Sequence, residues 1–275
     1  LDETSFAKQG EHTACVQRQY CGSRGKKDNC VVAVHLGYAA GDFHTLLDGE
    51  PYLPEETWHE DRERCRAAGI PDDVVYRAKW EMGLQQVQRA LSNGVRFAWL
   101  TFDEWYGGKP PFLRGLERLG QNYVAELPTD FRVWTKPPEV MYREHHRHRG
   151  AGRRRKLPRL KVRNTPACEV RNVLAHSPKL RRVPWIRYRV KDGEKGPMVW
   201  EAKCIPVWIK DEDGLPTGPS PLLIARNVLK PDEVKFFLSN APQGVSVETL
   251  LLVAFSRWRI ERMFEDTKDE LGLDH

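Results

Sequence analysis

The chain has 275 residues, with 44 Lys and Arg against 38 Asp and Glu, which gives a formal net charge of +6. No window approaches the ~20 consecutive apolar residues of a membrane helix, so we expect no membrane span. The cysteines form no Cys-x2-Cys pair and are too sparse for a disulfide scaffold, which favours a reducing cytoplasm. They are Cys15, Cys21, Cys30, Cys65, Cys168 and Cys204.

The first part of the chain alternates β-type and helical patterns, which is typical of a mixed α/β sheet. A β-rich run over residues 29–38 turns near Gly41 into a second strand over 43–47, which predicts a hairpin beside the segment at Asp2. The predicted elements that follow are a short charged helix over 59–68 ended by Gly69, a long helix from Pro71 to Ser92, a strand ending at Asp103, a helix over 112–119 and a strand over 123–127.

Residues 128–245 break this rhythm. They contain a basic run and then short β-type runs at 185–190, 199–209, 222–225 and 235–239. We therefore predict a first core part over 1–127, a β-rich inserted subdomain over 128–245, and a helix over 246–275 that returns to the core. The alternative, a separate C-terminal domain, would leave Glu261 without acidic partners.

Two acidic residues lie at predicted strand ends. Asp103 follows the apolar run 96–102, and Asp2 lies in the first residues of the chain. Open α/β sheets place ligands at the carboxyl ends of their strands. The alternative for each is an ordinary turn residue or helix cap.

A third acid lies near the C-terminus in the pattern Arg257-x3-Glu261-x6-Lys268. On one helix, steps of four and eleven residues place these side chains within about 40° of one face. A carboxylate can hold a hard metal ion, and the flanking cations can hold phosphates. The alternative is a surface pair of Arg257 and Glu261 with a solvated Lys268.

Together, these segments resemble the catalytic blocks of bacterial insertion-sequence DDE transposases. The matching blocks, in order, are Asp2-x-Thr4, Asp103-Glu-Trp-Tyr-Gly and Arg257-x3-Glu261-x6-Lys268. The similarity is closest to the group with a long β-rich insertion and a Tyr-Arg-Glu-Lys signature. The signature tyrosine is expected three residues before Arg257, where this chain has Ala254, so the DNA contact of that tyrosine is not carried over.

The resemblance implies a ribonuclease-H-like mixed sheet, flanked by helices and interrupted by the β-rich insertion. It implies two Mg²⁺ (or Mn²⁺) ions held by Asp2, Asp103 and Glu261, with Arg257 and Lys268 on DNA phosphates. Such an enzyme cuts the transposon end and joins its 3′-OH to target DNA, as a homodimer in the bacterial cytoplasm at the nucleoid. We also expect a longer parent protein. Candidates for stacking on a flipped base are Trp185, Trp200 and Trp208.

A basic segment supports a nucleic-acid partner. Residues 143–163 contain ten Arg and Lys and one acid, so their net charge is +9 and the remainder of the chain is −3. Arg153, Arg154, Arg155 and Lys156 are predicted to bind the DNA backbone. The alternative is a solvated basic loop. No cysteine has a spacing to His145, His146 and His148 that would indicate zinc.

Two other functions stay open from the sequence. One is a metal-dependent nuclease on the same core that lacks strand transfer. The other is a non-catalytic DNA-binding remnant of a transposase. The presence of Asp2, Asp103 and Glu261 favours catalysis, and Mg²⁺-dependent nicking would separate these functions.

Overall fold

The computed structural model describes residues 1–142, 158–193 and 196–271. The chain is mixed α/β, as predicted, and it divides into two compact units. The first unit combines Leu1–Tyr123 with Val253–His275, and the second is Val124–Leu252. Within the described ranges, no helix has the length and apolar character needed to cross a bilayer.

The first unit is built on a long central strand, whose run of buried valines suits a pleated sheet. This strand pairs antiparallel with each of three others, and the register places Asp2 opposite His35. The tight turn before the last strand uses Gly41 at φ +56°, so the predicted hairpin is confirmed. The strands are β1 (Asp2–Ala7), β2 (Gln17–Cys21), β3 (Lys26–Ala40) and β4 (Phe43–Pro51).

The helices of this unit cover the sheet. Trp58, within a π-helical turn at Glu55–His59, is fully buried and donates its indole N–H to the Val16 carbonyl at 2.7 Å. Gln86 fixes the long helix to β3 through the Val34 carbonyl at 2.8 Å. The elements are α1 (Arg62–Ala67), α2 (Lys79–Ser92), β5 (Leu100–Phe102), α3 (Glu104–Gly107) and α4 (Pro110–Arg118).

The long helix begins at Lys79, so the predicted start at Pro71 is wrong. Residues 71–78 lie outside any helix, and the Arg62 guanidinium donates to the carbonyls of Pro71 and Val74 in this segment at 3.2 and 3.1 Å. The start is instead fixed by Glu81, whose carboxylate accepts from the Ala78 N–H at 2.9 Å.

The C-terminal segment forms two helices, α7 (Val247–Phe255) and α8 (Trp258–Leu271), and not the single helix that was predicted. The break falls at Ser256 and Arg257, where the Ser256 hydroxyl donates to the Val253 carbonyl at 2.7 Å. Such local side-chain bonds compete with helical bonds. Met263 of α8 packs so closely on β3 that a Cβ added to Gly37 would lie 2.6 Å from its sulfur.

The second unit is dominated by antiparallel strands. Its short elements are β7 (Arg132–Val133), β8 (Val140–Met141), β9 (Arg159–Leu160), β10 (Cys168–Glu169), α5 (Val170–His176) and α6 (Pro178–Arg182). The main strands, in the order in which they pair, are β11 (Ile186–Gly193), β12 (Gly196–Val207), β13 (Ser220–Asn227), β14 (Val234–Ser239) and β6 (Tyr123–Leu127). They confirm the strands predicted for residues 123–127 and for the four β-type runs after residue 184.

Candidate active site

Two of the predicted acids lie at neighbouring element ends of the first unit. Asp2 begins β1, and Asp103 directly follows β5. The Leu1 nitrogen donates to the Thr101 carbonyl at 3.0 Å, which holds these two chain segments side by side. Asp103 also caps α3, since its Oδ1 accepts from the backbone N–H groups of Trp105 and Tyr106 at 3.1 and 3.2 Å. Asp103 is therefore the helix cap that we considered as its alternative role, and a cap can still offer a carboxylate to a ligand.

The two acids interact electrostatically. Burial raises the pKa of Asp103 to about 6, and the negative charge of Asp2 adds to that rise. The Tyr106 N–H and the Arg257 guanidinium act in the opposite direction and lower the pKa of Asp103. Asp103 is thus a buried carboxyl group close to a second carboxylate, and a cation bound beside both would stabilise their charged forms.

Arg257 lies in the turn between α7 and α8 and joins the acids. Its Nη1 donates to Asp2 Oδ2 at 2.7 Å, and its Nη2 lies 3.3 Å from Glu261 Oε1. The side chains of Arg257 and Asp2 are 22% and 15% exposed, whereas that of Glu261 is 58% exposed. The surface pair considered as the alternative for Arg257 and Glu261 is thus present, and it extends to a third, distant residue.

A groove of about 640 Å³ is lined by four of the nine predicted site residues, which are Asp2, Asp103, Glu261 and Lys268. Five carboxylates and two lysines line it, so their formal charge is −3: Asp2, Glu3, Asp103, Glu261, Glu265, Lys79 and Lys268. Glu261 and Lys268 lie seven residues apart on α8 and therefore share a helix face. The helix is held against the sheet by Phe264, whose ring meets that of His35 edge-on at 5.3 Å.

The donor set suits a hard divalent cation, because it consists of carboxylate oxygens in an acidic groove. Asp2 and Asp103 fit such an ion best, since burial and then the charge of Asp2 raise the pKa of Asp103, and a nearby dication would offset both effects. Over the described part of the chain, however, no three His, Cys, Asp or Glu side chains converge as a ready ligand set. Glu261 is turned toward Arg257 at 3.3 Å.

Other predicted residues lie elsewhere or outside the described ranges. The structure does not describe residues 143–157, which include Arg153, Arg154, Arg155, Lys156, His145, His146 and His148.

Among the tryptophans, Trp200 is only 3% exposed, which leaves no open ring face for a base. Trp185 is half-buried, with Lys203 and Arg226 at 4.8 and 4.3 Å from its ring centroid. Trp208 is half-buried and bonded through its backbone to Trp134 at 2.9 Å.

The sequence analysis missed several residues of the groove, among them Glu3, Lys79 and Trp105. The Glu3 carboxylate accepts from Lys79 at 2.6 Å and from the Tyr106 hydroxyl at 3.3 Å. Lys79 also lies close to the Trp105 ring. Glu3 and Trp105 could have been proposed from their proximity to Asp2 and Asp103 in sequence. Nothing in the sequence around Lys79 marks it, because the pairing depends on where α2 begins.

The fold and the groove together define a class: a mixed α/β protein with carboxylates at strand ends and on a helix around one acidic groove, which are the side chains that metal-dependent phosphoryl-transfer enzymes use. Residues 1–197 match the family described as DDE superfamily endonuclease. The chain belongs to the DDE superfamily endonucleases. Enzymes of this superfamily are metal-dependent. The family match includes Asp2 and Asp103, and Glu261 lies beyond it.

The chain is also similar to a probable transposase for insertion sequence element IS701 from Microchaete diplosiphon. The two are 34% identical over 148 residues, which is 53% of this chain and 34% of the relative. The matched region thus spans about a third of the length of that curated relative.

Proposed function

We propose that this chain is the catalytic part of an insertion-sequence transposase that cuts DNA at transposon ends and transfers the freed 3′-OH to target DNA. The observation that carries the proposal is the acidic groove, which is lined by Asp2 and Asp103 from two strand ends and by Glu261 of α8. Membership of the DDE superfamily endonucleases and the similarity to a probable transposase support the same reading.

The proposed architecture assigns different roles to the two units. The first unit is a ribonuclease-H-like catalytic core, and the second, Val124–Leu252, is an insertion into it. Both segments of the first unit are needed, since one supplies Asp2 and Asp103 and the other supplies Glu261. We propose further that the active species is a homodimer that acts on nucleoid DNA in the bacterial cytoplasm.

Asp2, Asp103 and Glu261 would together hold two Mg²⁺ or Mn²⁺ ions. Bound there, the ions supply an activated water and stabilise the leaving 3′-oxygen. The acidic charge of the groove gives a reason why metal ions would be needed. A formal charge of −3 repels a phosphodiester, so cations that offset the carboxylates would favour its entry into the groove.

The basic residues would hold the DNA around the reacting phosphate. Lys268 lies on the groove wall seven residues from Glu261, where its ammonium group can reach a phosphate. Arg257 is engaged with Asp2 and Glu261, so it would contact a phosphate only after releasing one of them. Arg153, Arg154, Arg155 and Lys156 would add contacts to the backbone that do not depend on sequence.

The test uses the full-length protein and a duplex with the element's own terminal sequence. With Mg²⁺, we expect nicking at the transposon end, and with pre-cleaved ends we expect joining to a target duplex. Asp2→Ala, Asp103→Ala and Glu261→Ala should each abolish nicking while DNA binding in EDTA stays near that of the unmodified protein. Asp269→Ala, an exposed charge on α8, is the matched control and should cut normally.

Nicking by Glu261→Ala at the unmodified rate would show that the acid on α8 has no catalytic role. Nicking without any joining of pre-cleaved ends would identify a nuclease that lacks strand transfer.

A further inference from the structure

Tyr106 connects two acidic side chains of the groove. Its backbone N–H donates to Asp103 Oδ1 at 3.2 Å, and its hydroxyl donates to Glu3 Oε1 at 3.3 Å. The other oxygen of that carboxylate, Glu3 Oε2, accepts from Lys79 Nζ at 2.6 Å. A single tyrosine therefore joins Asp103 to Glu3, and through Glu3 to the first residue of α2.

The tyrosine is held firmly by packing. Tyr106 is fully buried, and its ring centroid lies 5.5 Å from that of Phe112 in α4. A Cβ added to Gly83 of α2 would lie 3.5 Å from Tyr106 Cε1, so α2 also contacts the ring. The side chains of Glu3 and Lys79 are only 24% and 19% exposed, so water screens their ion pair only in part. The tyrosine hydroxyl and the first turn of α3 are thus fixed together.

Glu3 is linked to Asp2 as well. The Glu3 backbone N–H donates to Asp2 Oδ1 at 2.8 Å. Through one bond of its own and one bond to Tyr106, Glu3 therefore reaches both acids that lie at strand ends. Hydrogen-bond partners behind a metal ligand orient it, and losing one typically weakens metal binding by about 10- to 100-fold.

A role in stability alone explains the arrangement less well. Replacing a buried ion pair by apolar side chains is often neutral or stabilising, so packing would not require charges at Glu3 and Lys79. A further carboxylate beside Asp2 and Asp103 also adds repulsion to a groove that is already acidic, and Lys79 offsets it. The use of a compensated acid at this place points to a task for its carboxylate.

We propose that Tyr106 is a positioning residue, which orients the Asp103 carboxylate for metal binding through its bonds to Asp103 and Glu3. Lys79 neutralises Glu3, so this acid accepts the tyrosine hydroxyl without adding its charge to the groove. Asp103 remains the residue that contacts the cation. The inference rests on the proposed function, because it takes Asp103 as a metal ligand.

The experiment titrates the full-length protein with Mn²⁺ alone, without DNA, and measures free Mn²⁺ by electron paramagnetic resonance. We expect Tyr106→Phe to bind Mn²⁺ about 10-fold more weakly, because the orienting hydroxyl is lost while the ring still packs. In nicking assays, the Mg²⁺ concentration that gives half the maximal rate should rise by a similar factor. Saturating Mg²⁺ should restore nicking by Tyr106→Phe, whereas it should not restore nicking by Asp103→Ala.

Tyr123→Phe is the matched control. Tyr123 is also fully buried, and its hydroxyl donates at 3.0 Å to Glu117, an acid of α4 that is not among the described residues lining the groove. This substitution should lower the melting temperature about as much as Tyr106→Phe does and should leave Mn²⁺ binding unchanged.

A double-mutant cycle tests whether the hydroxyl acts through Glu3. If it does, adding Tyr106→Phe to Glu3→Ala should weaken Mn²⁺ binding by less than about twofold, because the acceptor of the hydroxyl is already gone. A full loss of about 10-fold in the Glu3→Ala background would show that the hydroxyl acts by another route and would overturn the role of Glu3.

Two results would overturn the proposal as a whole. One is Mn²⁺ binding by Tyr106→Phe that equals that of the unmodified protein. The other is an equal loss of Mn²⁺ binding in Tyr123→Phe, which would indicate a general effect of stability. Mn²⁺ binding that depends on Tyr106, without any Mg²⁺-dependent nicking by the unmodified protein, would contradict the proposed catalytic function alone. Nicking by the unmodified protein, with no effect of Tyr106→Phe on metal binding, would contradict only the positioning role.

Discussion

Replacing Arg257 by Gln should destabilise the first unit measurably. The ion pair to Asp2 is short, at 2.7 Å, and its members are 22% and 15% exposed. Removing one member of a fully buried pair costs about 3–5 kcal/mol, and exposed pairs contribute about 0–1 kcal/mol. At this intermediate burial we expect a loss of about 2 kcal/mol, because Asp2 would keep its charge without its partner.

Urea unfolding, monitored by tryptophan fluorescence, measures this loss. The corresponding fall in Tm is about 4–8 °C for a protein of this size. Arg262→Gln is the matched control, since Arg262 lies five residues later on α8 and pairs at 3.0 Å with Asp266 while 58% exposed. That control should change the free energy of unfolding by about 0.5 kcal/mol or less. Equal effects of the two substitutions would refute the idea that Arg257 organises the carboxylates.

Three further predictions concern His35, Gly37 and the basic residues 153–156. Burial lowers the pKa of His35 to about 4 from its ordinary value of 6.5, so the unfolded chain binds a proton that the folded chain excludes. The stability contribution of neutral His35 is therefore fully present above pH ~6.5. The free energy of unfolding should fall by up to ~3 kcal/mol as the pH drops to ~4, and urea titrations should find this fall reduced in His35→Gln. Gly37→Val should cost ~1–3 kcal/mol in urea unfolding because its side chain would strike Met263, and an unchanged midpoint would contradict that packing. Neutralising Arg153, Arg154, Arg155 and Lys156 together should reduce the salt dependence of DNA affinity by about 3–4 units of log K against log salt, and an unchanged slope would remove their role.

The sequence predicted best what depends on local patterns. Periodicity and turn residues gave the β6 strand at Tyr123–Leu127 and the hairpin at Gly41, because apolar alternation and a positive φ are encoded locally. The resemblance to known catalytic blocks selected Asp2, Asp103 and Glu261, and the structure places all three on one groove. Their roles as metal ligands stay a prediction.

Long-range contacts set the features that could not be predicted. The helix α2 begins at Lys79, and Arg62 binds the Pro71 carbonyl in the segment before it. No sequence pattern near residue 71 indicates a hydrogen bond from a residue nine positions earlier. Helical spacing predicted Arg257 and Glu261 on one helix, whereas the helix breaks at Ser256, whose hydroxyl donates to the Val253 carbonyl. The contact of Arg257 with Asp2 spans 255 positions and is visible only in three dimensions.

A crystal structure of the full-length protein with Mn²⁺, recorded at the manganese absorption edge, tests most directly whether these acids form one metal site. We expect anomalous density in the groove, with carboxylate oxygens of Asp2 and Asp103 at about 2.0–2.2 Å and Glu261 turned from Arg257 toward the ion. Manganese bound elsewhere, or an empty groove in which Arg257 still bridges Asp2 and Glu261 at saturating Mn²⁺, would contradict the proposed chemistry.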